Sequence, residues 1–191
     1  MLNFIVSEEQ NLLINSLRKI IADHYTHDEH SKHLDSPDGF NRDLWSIFAE
    51  NGFFAIHLPE SVGGFSGSLT DMALAMLEMG KGVVVEPVLA GPILCGALID
   101  KLGGDNHRNQ WLPNIIDASK HISLAHIEKQ SRFQIDKVDT RFRQNGRGSL
   151  ISGNKIFAMS AATADAFIVS AIATECEQAC LLYTSPSPRD A

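Results

Sequence analysis

Cysteine is scarce in this sequence, with three residues in 191: Cys95, Cys176 and Cys180. The number is odd and the spacing suits no metal. Neither a disulfide framework nor a zinc site is expected, and a reducing compartment is. No run of about 18 apolar residues occurs, so no spanning helix is expected. Positive charge is also short. The 16 Lys and Arg face 23 Asp and Glu, and a net charge of −7 matches nucleic-acid phosphates poorly. Met1 to Val6 carries no basic stretch of the kind that opens a signal or transit peptide. A cytoplasmic protein is therefore expected. What is present is enough Leu, Ile, Val and Phe to build a core, in a chain that is 44% hydrophobic and 20% charged.

The charge is not spread evenly. Residues 1–120 carry a net of −8, and residues 121–191 a net of +1. Periodicity changes at the same place, which divides the chain into two regions. In the first, Ser7 before Glu8-Glu9-Gln10 is a capping box. Leu12, Leu13, Leu17, Ile20 and Ile21 then form one helical stripe to about Tyr25. A polar connection follows to Ser36-Pro37-Asp38-Gly39. Leu44, Trp45, Ile47 and Phe48 mark a second helix ending at Asn51-Gly52, and Pro59 to Gly67 reads as a tight loop. Helices are expected over Leu69–Met79 and over Val88–Leu102, the latter interrupted at Gly91-Pro92. A short one follows over 105–117, kinked at Pro113.

The second region carries strand signals. Ile122 to His126 is a short strand, and Lys137 to Arg143 alternates with Val138, Thr140 and Phe142 on one face. Asn145-Gly146-Arg147-Gly148 is a hairpin turn. Ser149-Leu150-Ile151 leads to a second turn at Ser152-Gly153-Asn154, then Lys155-Ile156-Phe157. Ala166 to Ala171 is a buried strand. The order is α+β: an all-helical bundle followed by the first strands of an antiparallel β domain.

Several stretches, in this order, resemble the front half of an acyl-CoA dehydrogenase. They are Ser7-Glu8-Glu9-Gln10, Gly52 to Ile56 leading to Pro59-Glu60 and Gly63-Gly64, and Glu78 to Gly82. Leu124 to Arg132, Gly153-Asn154-Lys155 and Ala164-Asp165 complete them. The Ala-His-x-Glu-x-Gln-Ser-Arg string is similar to a bacterial branch described as small subunits or pimeloyl-CoA dehydrogenase-like proteins. The resemblance implies a helical domain over 1–120 and a partial middle β domain over 121–179. The Ser-Pro-rich residues 180–191 are expected to be a non-native read-through tail on a truncated chain. It further implies FAD as cofactor and an acyl-CoA thioester as substrate. A carboxylate takes the α proton while the β hydride passes to flavin N5. An electron-accepting flavoprotein and a homo- or hetero-oligomer come with it. The family's catalytic glutamate lies in a C-terminal bundle, so no catalytic residue is expected within these 191.

By the same resemblance, the flavin-lining positions fall on Leu124, His126, Ile127, Phe157, Ala158 and Met159, and a substrate contact falls on Ser131. Ile127 and Met159 stand where the family usually has threonines, Phe157 replaces the usual Trp, and Lys129 replaces Pro. Two lost hydroxyl contacts, at ~0.5–1.5 kcal/mol each, would weaken a flavin site without abolishing it. Two other readings stay open: a non-catalytic partner subunit of a heteromeric acyl-CoA dehydrogenase, and a helical interaction module without flavin. Outside the resemblance, His24, His27, His30 and His33 recur every third residue and read as a solvated connection, with adventitious metal as the alternative. Met72, Met76 and Met79 share a helix face that suits core packing or an acyl-chain wall. Lys137, Arg141, Arg143 and Arg147 read as a solvated sheet face, or as a contact for CoA phosphates.

Overall fold

Residues 6–131, 134–145, 148–173 and 179–186 are described in the computed structural model. Ser7 caps α1 (Glu8–His24) through the expected box with Gln10. Thr26 caps α2 (His27–Leu34) by accepting from the Glu29 N–H. The polar connection expected here is thus a helix. Its first turn holds Asp28 and Glu29 and its last Lys32 and His33, which complements the helix dipole without any apolar stripe. Spacing by three turns the histidines round the helix, so His33 is buried edge-on to Tyr25, with ring centroids 5.3 Å apart.

Asn41 caps α3 (Arg42–Glu50), and Ser68 caps α4 (Leu69–Lys81) with a second capping box to Asp71. Apolar faces of α1, α3 and α4 enclose Leu17, Leu44, Trp45, Phe48, Phe53, Phe54, Met72 and Met79. Met72 and Met79 therefore pack the helical core, with Met76 half-buried beside them. Glu78 ties α4 to α1. It accepts from Arg18 Nε and Nη2 (2.8 and 3.0 Å) and from the Lys81 ammonium (2.7 Å). A π-helical turn at Leu89–Ile93, with Pro92 inside it, leads into α5 (Leu94–Leu102), which bears out the interruption expected at Gly91-Pro92. Helix α6 (Asp105–Ile116) continues through Pro113.

The strands are β1 (Ile122–Ala125), β2 (Arg141–Asn145), β3 (Gly148–Ser152), β4 (Ala166–Ala173) and β5 (Ala179–Pro186). β2 and β3 form the expected antiparallel hairpin, although residues 146–147 of its turn lie outside the described residues. The sheet as a whole is mixed. β4 runs parallel to β1 (Ile122 opposite Ala166) and to β2 (Arg141 opposite Ile172), and antiparallel to β5. The chain leaves β1 through a long excursion before β4 returns beside it, and such a crossover allows parallel pairing where a tight turn would not. Residues 180–186, part of the stretch expected to be tail, pair along β4 within β5. Ile122 and Ile168 pack with Leu58, Cys95, Ile99, Leu112 and Ile115 in a second core beneath α5 and α6. No described helix is long and apolar enough to cross a membrane.

Candidate functional site

Beyond the end of β1 the chain turns inward at Glu128, which is 1% exposed. One carboxylate oxygen accepts from the Thr140 N–H (2.9 Å), the Thr140 hydroxyl (2.6 Å) and the Lys155 ammonium (2.7 Å). The other accepts from the Asp139 N–H and from Gln130 Nε2, each at 2.7 Å. Burial pushes the Glu128 carboxyl upward. The bonds from Lys155, Thr140 and the two backbone N–H groups outweigh it and bring the group down to about 2. These bonds also explain why the strand expected over 137–143 begins only at Arg141. The amides of Asp139 and Thr140 bond a side chain in place of a neighbouring strand.

Lys155 is held as tightly. Its ammonium donates to Glu128, to the Ser170 hydroxyl (2.9 Å) and to the His126 carbonyl (3.2 Å). This reach depends on Gly153, where a Cβ would lie 2.3 Å from Thr140 Oγ1 and force the two segments apart. One buried ion pair thus joins residues 126–131, 139–140, 153–155 and β4.

The same pair brings two surface segments together. The Ile156 N–H donates to the Ile127 carbonyl (2.8 Å), and the Ser123 hydroxyl donates to the Met159 carbonyl (2.7 Å). Ile127, Phe157 and Met159 are 38, 80 and 55% exposed, so each presents apolar surface to solvent. Residues 155–157 do not form the extended run expected of them, because Phe157 takes a left-handed backbone with φ 53°. No hydrogen bond occupies the backbone N–H groups of Phe157, Ala158 and Met159 among the described residues.

Of the six flavin-lining candidates, Ile127, Phe157, Ala158 and Met159 therefore lie on two segments that these bonds hold side by side. Leu124 and His126 do not share their face. Alternation along β1 turns Leu124 toward the second core, and His126 Nδ1 lies 2.9 Å from Ser170 Oγ on β4. Ser131 is buried, and its hydroxyl is spent on the turn. It donates to the Glu128 carbonyl (2.9 Å) and accepts from the Glu128 N–H (3.1 Å). Lys137, Arg141 and Arg143 are exposed, while Arg147 lies outside the described residues. The residues that sequence reasoning missed are Lys155, Glu128, Thr140 and Ser170. The only available signal was a glutamate and a lysine inside two separate short strings, with nothing local to pair them.

The family model described as "Acyl-CoA dehydrogenase, N-terminal domain" matches residues 7–119. Acyl-CoA dehydrogenase FadE12 of Mycobacterium tuberculosis is 30% identical over 170 residues, covering 87% of this chain and 43% of that protein. The chain spans less than half the length of the curated relatives it matches. Two solved structures share the fold. The ChsE4–ChsE5 complex from Mycobacterium tuberculosis has a TM-score of 0.84 at 17% identity, covering 96% of this chain and 49% of that one. An acyl-CoA dehydrogenase complexed with FAD from Bacillus anthracis has a TM-score of 0.80 at 20% identity, covering 94% and 31%.

Proposed function

Because this chain belongs to the acyl-CoA dehydrogenase family, we propose that it is part of an FAD-dependent enzyme that removes two hydrogens across Cα–Cβ of an acyl-CoA thioester. The observation that carries this reading is the exposed apolar surface of Ile127, Phe157 and Met159 beside backbone N–H groups that make no hydrogen bond among the described residues. An exposed aromatic ring suits stacking against a flat heterocycle, and free amides suit its carbonyl oxygens. The residues present fit a flavin in this respect and lack side-chain hydroxyls toward it.

In this reading Phe157 supplies the ring face, and Ile127 and Met159 exclude water from its edges. The amides of residues 157–159 orient the cofactor, and Lys155 with Glu128 keeps both segments in register. Bound flavin would supply the hydride acceptor. The acyl-CoA substrate, an electron-accepting flavoprotein and assembly with further subunits belong to the same proposal. A second reading, a partner subunit without catalysis of its own, is favoured by Ile127 and Met159 standing at hydroxyl positions.

Titration with FAD tests the first step. Saturable quenching of flavin fluorescence is expected, weakened about three- to tenfold by Phe157→Ala, the scale of one lost ring contact. A protein that stays colourless in excess FAD overturns the flavoenzyme reading. One that binds FAD but is never reduced by any acyl-CoA supports the partner-subunit reading.

A further inference from the structure

His121 stands where the helical region meets the sheet, one residue before β1. It is 1% exposed and lies edge-on to Trp45 and Phe40, with ring centroids 5.4 and 6.3 Å away. Gly91 closes another side, and a Cβ there would sit 3.1 Å from the imidazole. The His121 N–H donates to Asp165 Oδ2 (2.8 Å), and the Asp165 N–H donates to the His121 carbonyl (2.7 Å). Nδ1 lies 3.0 Å from Thr163 Oγ1, which lies 3.0 Å from the Ser160 carbonyl. The Thr163 N–H reaches that carbonyl too, at 3.2 Å. Among the described residues, Nε2 is buried with no partner.

Counting protons fixes the arrangement. Thr163 has one hydroxyl proton. Given to the Ser160 carbonyl, it leaves Oγ1 free to accept from Nδ1–H, and Nε2 is bare. Given to Nδ1, it would put the ring proton on Nε2 as a buried donor with no acceptor, the rarer kind of orphan. The ring is therefore neutral and carries its proton on Nδ1. The chain from His121 through Thr163 ends on Ser160, whose φ is 56°, three residues beyond Phe157 at φ 53°. Non-glycine residues keep such backbones only where their surroundings hold them.

We propose that His121 is a positioning residue for the flavin-facing segment. Through Thr163 it holds the left-handed turn that presents Phe157 to Met159, and it holds that turn only while its ring is neutral. This rests on the reading of residues 157–159 as a flavin wall. A second proton would fall on Nε2, which lies against Gly91 and has no acceptor among the described residues, so protonation expels the ring and releases Thr163. The charged groups around it are Arg42 on α3, Asp38 just before α3, and Asp165, whose carboxylate has Lys120 at 3.5 Å. Glu86, on the segment that leads to Gly91, is engaged by the Asn41 N–H. Burial dominates these and holds the imidazole below the ordinary histidine value.

Nuclear magnetic resonance of the 191-residue chain without cofactor tests this. Ring 1H–15N correlations, assigned with His121→Asn, are expected to show the Nδ1–H form at neutral pH. On acidification the amides of residues 157–160 are expected to move with the midpoint of the His121 ring. In His121→Asn, whose amide nitrogen can stand in for Nδ1, they are expected to stay put through that range. An Nε2–H ring at neutral pH, or amides that ignore the ring's titration, overturns the proposal, and the unsubstituted protein alone decides both. Failure to bind FAD with these spectra intact sinks the flavin reading and leaves the hold of His121 standing. FAD binding with an Nε2–H ring does the reverse.

Discussion

Removing the Lys155 ammonium leaves the Glu128 carboxylate buried without its cation. Lys155 is 10% exposed at the side chain and Glu128 1%, so water cannot take over the lost contact. Lys155→Met is expected to cost about 3–5 kcal/mol in urea denaturation, the usual result of breaking a buried pair from one side. Adding Glu128→Gln to it should recover part of that loss, because no charge is then stranded. Strictly additive losses would show that the two residues do not act as a unit. Phe157 is the contrasting case. It is 80% exposed and supports no packing, so Phe157→Ala should leave the denaturation midpoint nearly unchanged while weakening FAD binding.

Two helix ends carry separable expectations. Val83 follows α4 in a left-handed backbone with φ 54°, which a β-branched residue adopts at a cost of about 1–2 kcal/mol. Its carbonyl accepts from His30 Nε2 at 3.1 Å, and glycine would keep that bond. Val83→Gly is expected to raise stability by about 1 kcal/mol, or roughly 2–4 °C in Tm by scanning calorimetry. Thr26→Ala removes the side-chain cap of α2 and should cost about 1 kcal/mol, with loss of helical signal confined to 27–34 in hydrogen exchange. Legibility in the sequence followed from locality. Ser7, Asn51 and Pro92 announced a helix start, a helix end and a helix interruption because the reasons lie within four residues. Helix α2 was missed because it has caps and charges but no apolar stripe. The start of β2 was missed because the amides of Asp139 and Thr140 are taken by a carboxylate eleven and twelve residues earlier. The surface of Ile127 and Phe157 came from family likeness, while the ion pair beneath it depends on a fold that brings residues 27 positions apart together.

Acid stability adds these groups over the whole molecule. Glu78 and Glu128 are both held down to about 2 by their cationic and hydroxyl partners. Their stabilisation is complete above the ordinary carboxylate value near 4.5 and is lost as pH falls toward 2. His33, His57 and His121 are pushed below 6.5 chiefly by burial, so they favour the fold above 6.5 and oppose it increasingly below. Glu86, raised by burial, works the other way around its own range. Urea midpoints are therefore expected to be highest near neutral pH, to fall below about 6.5, and to fall again below about 4.5. A maximum in mild acid would mean that the buried imidazoles accept protons within the fold. The strand pairing carries a different consequence, one of order in time. Both halves close over long separations: Arg18 of α1 meets Glu78 of α4 across 60 residues, and among the described residues β1 pairs only with β4, with Ile122 against Ala166. Closing such loops is slow, so β1 waits with an open edge until β4 arrives, a stage at which this chain is exposed to aggregation.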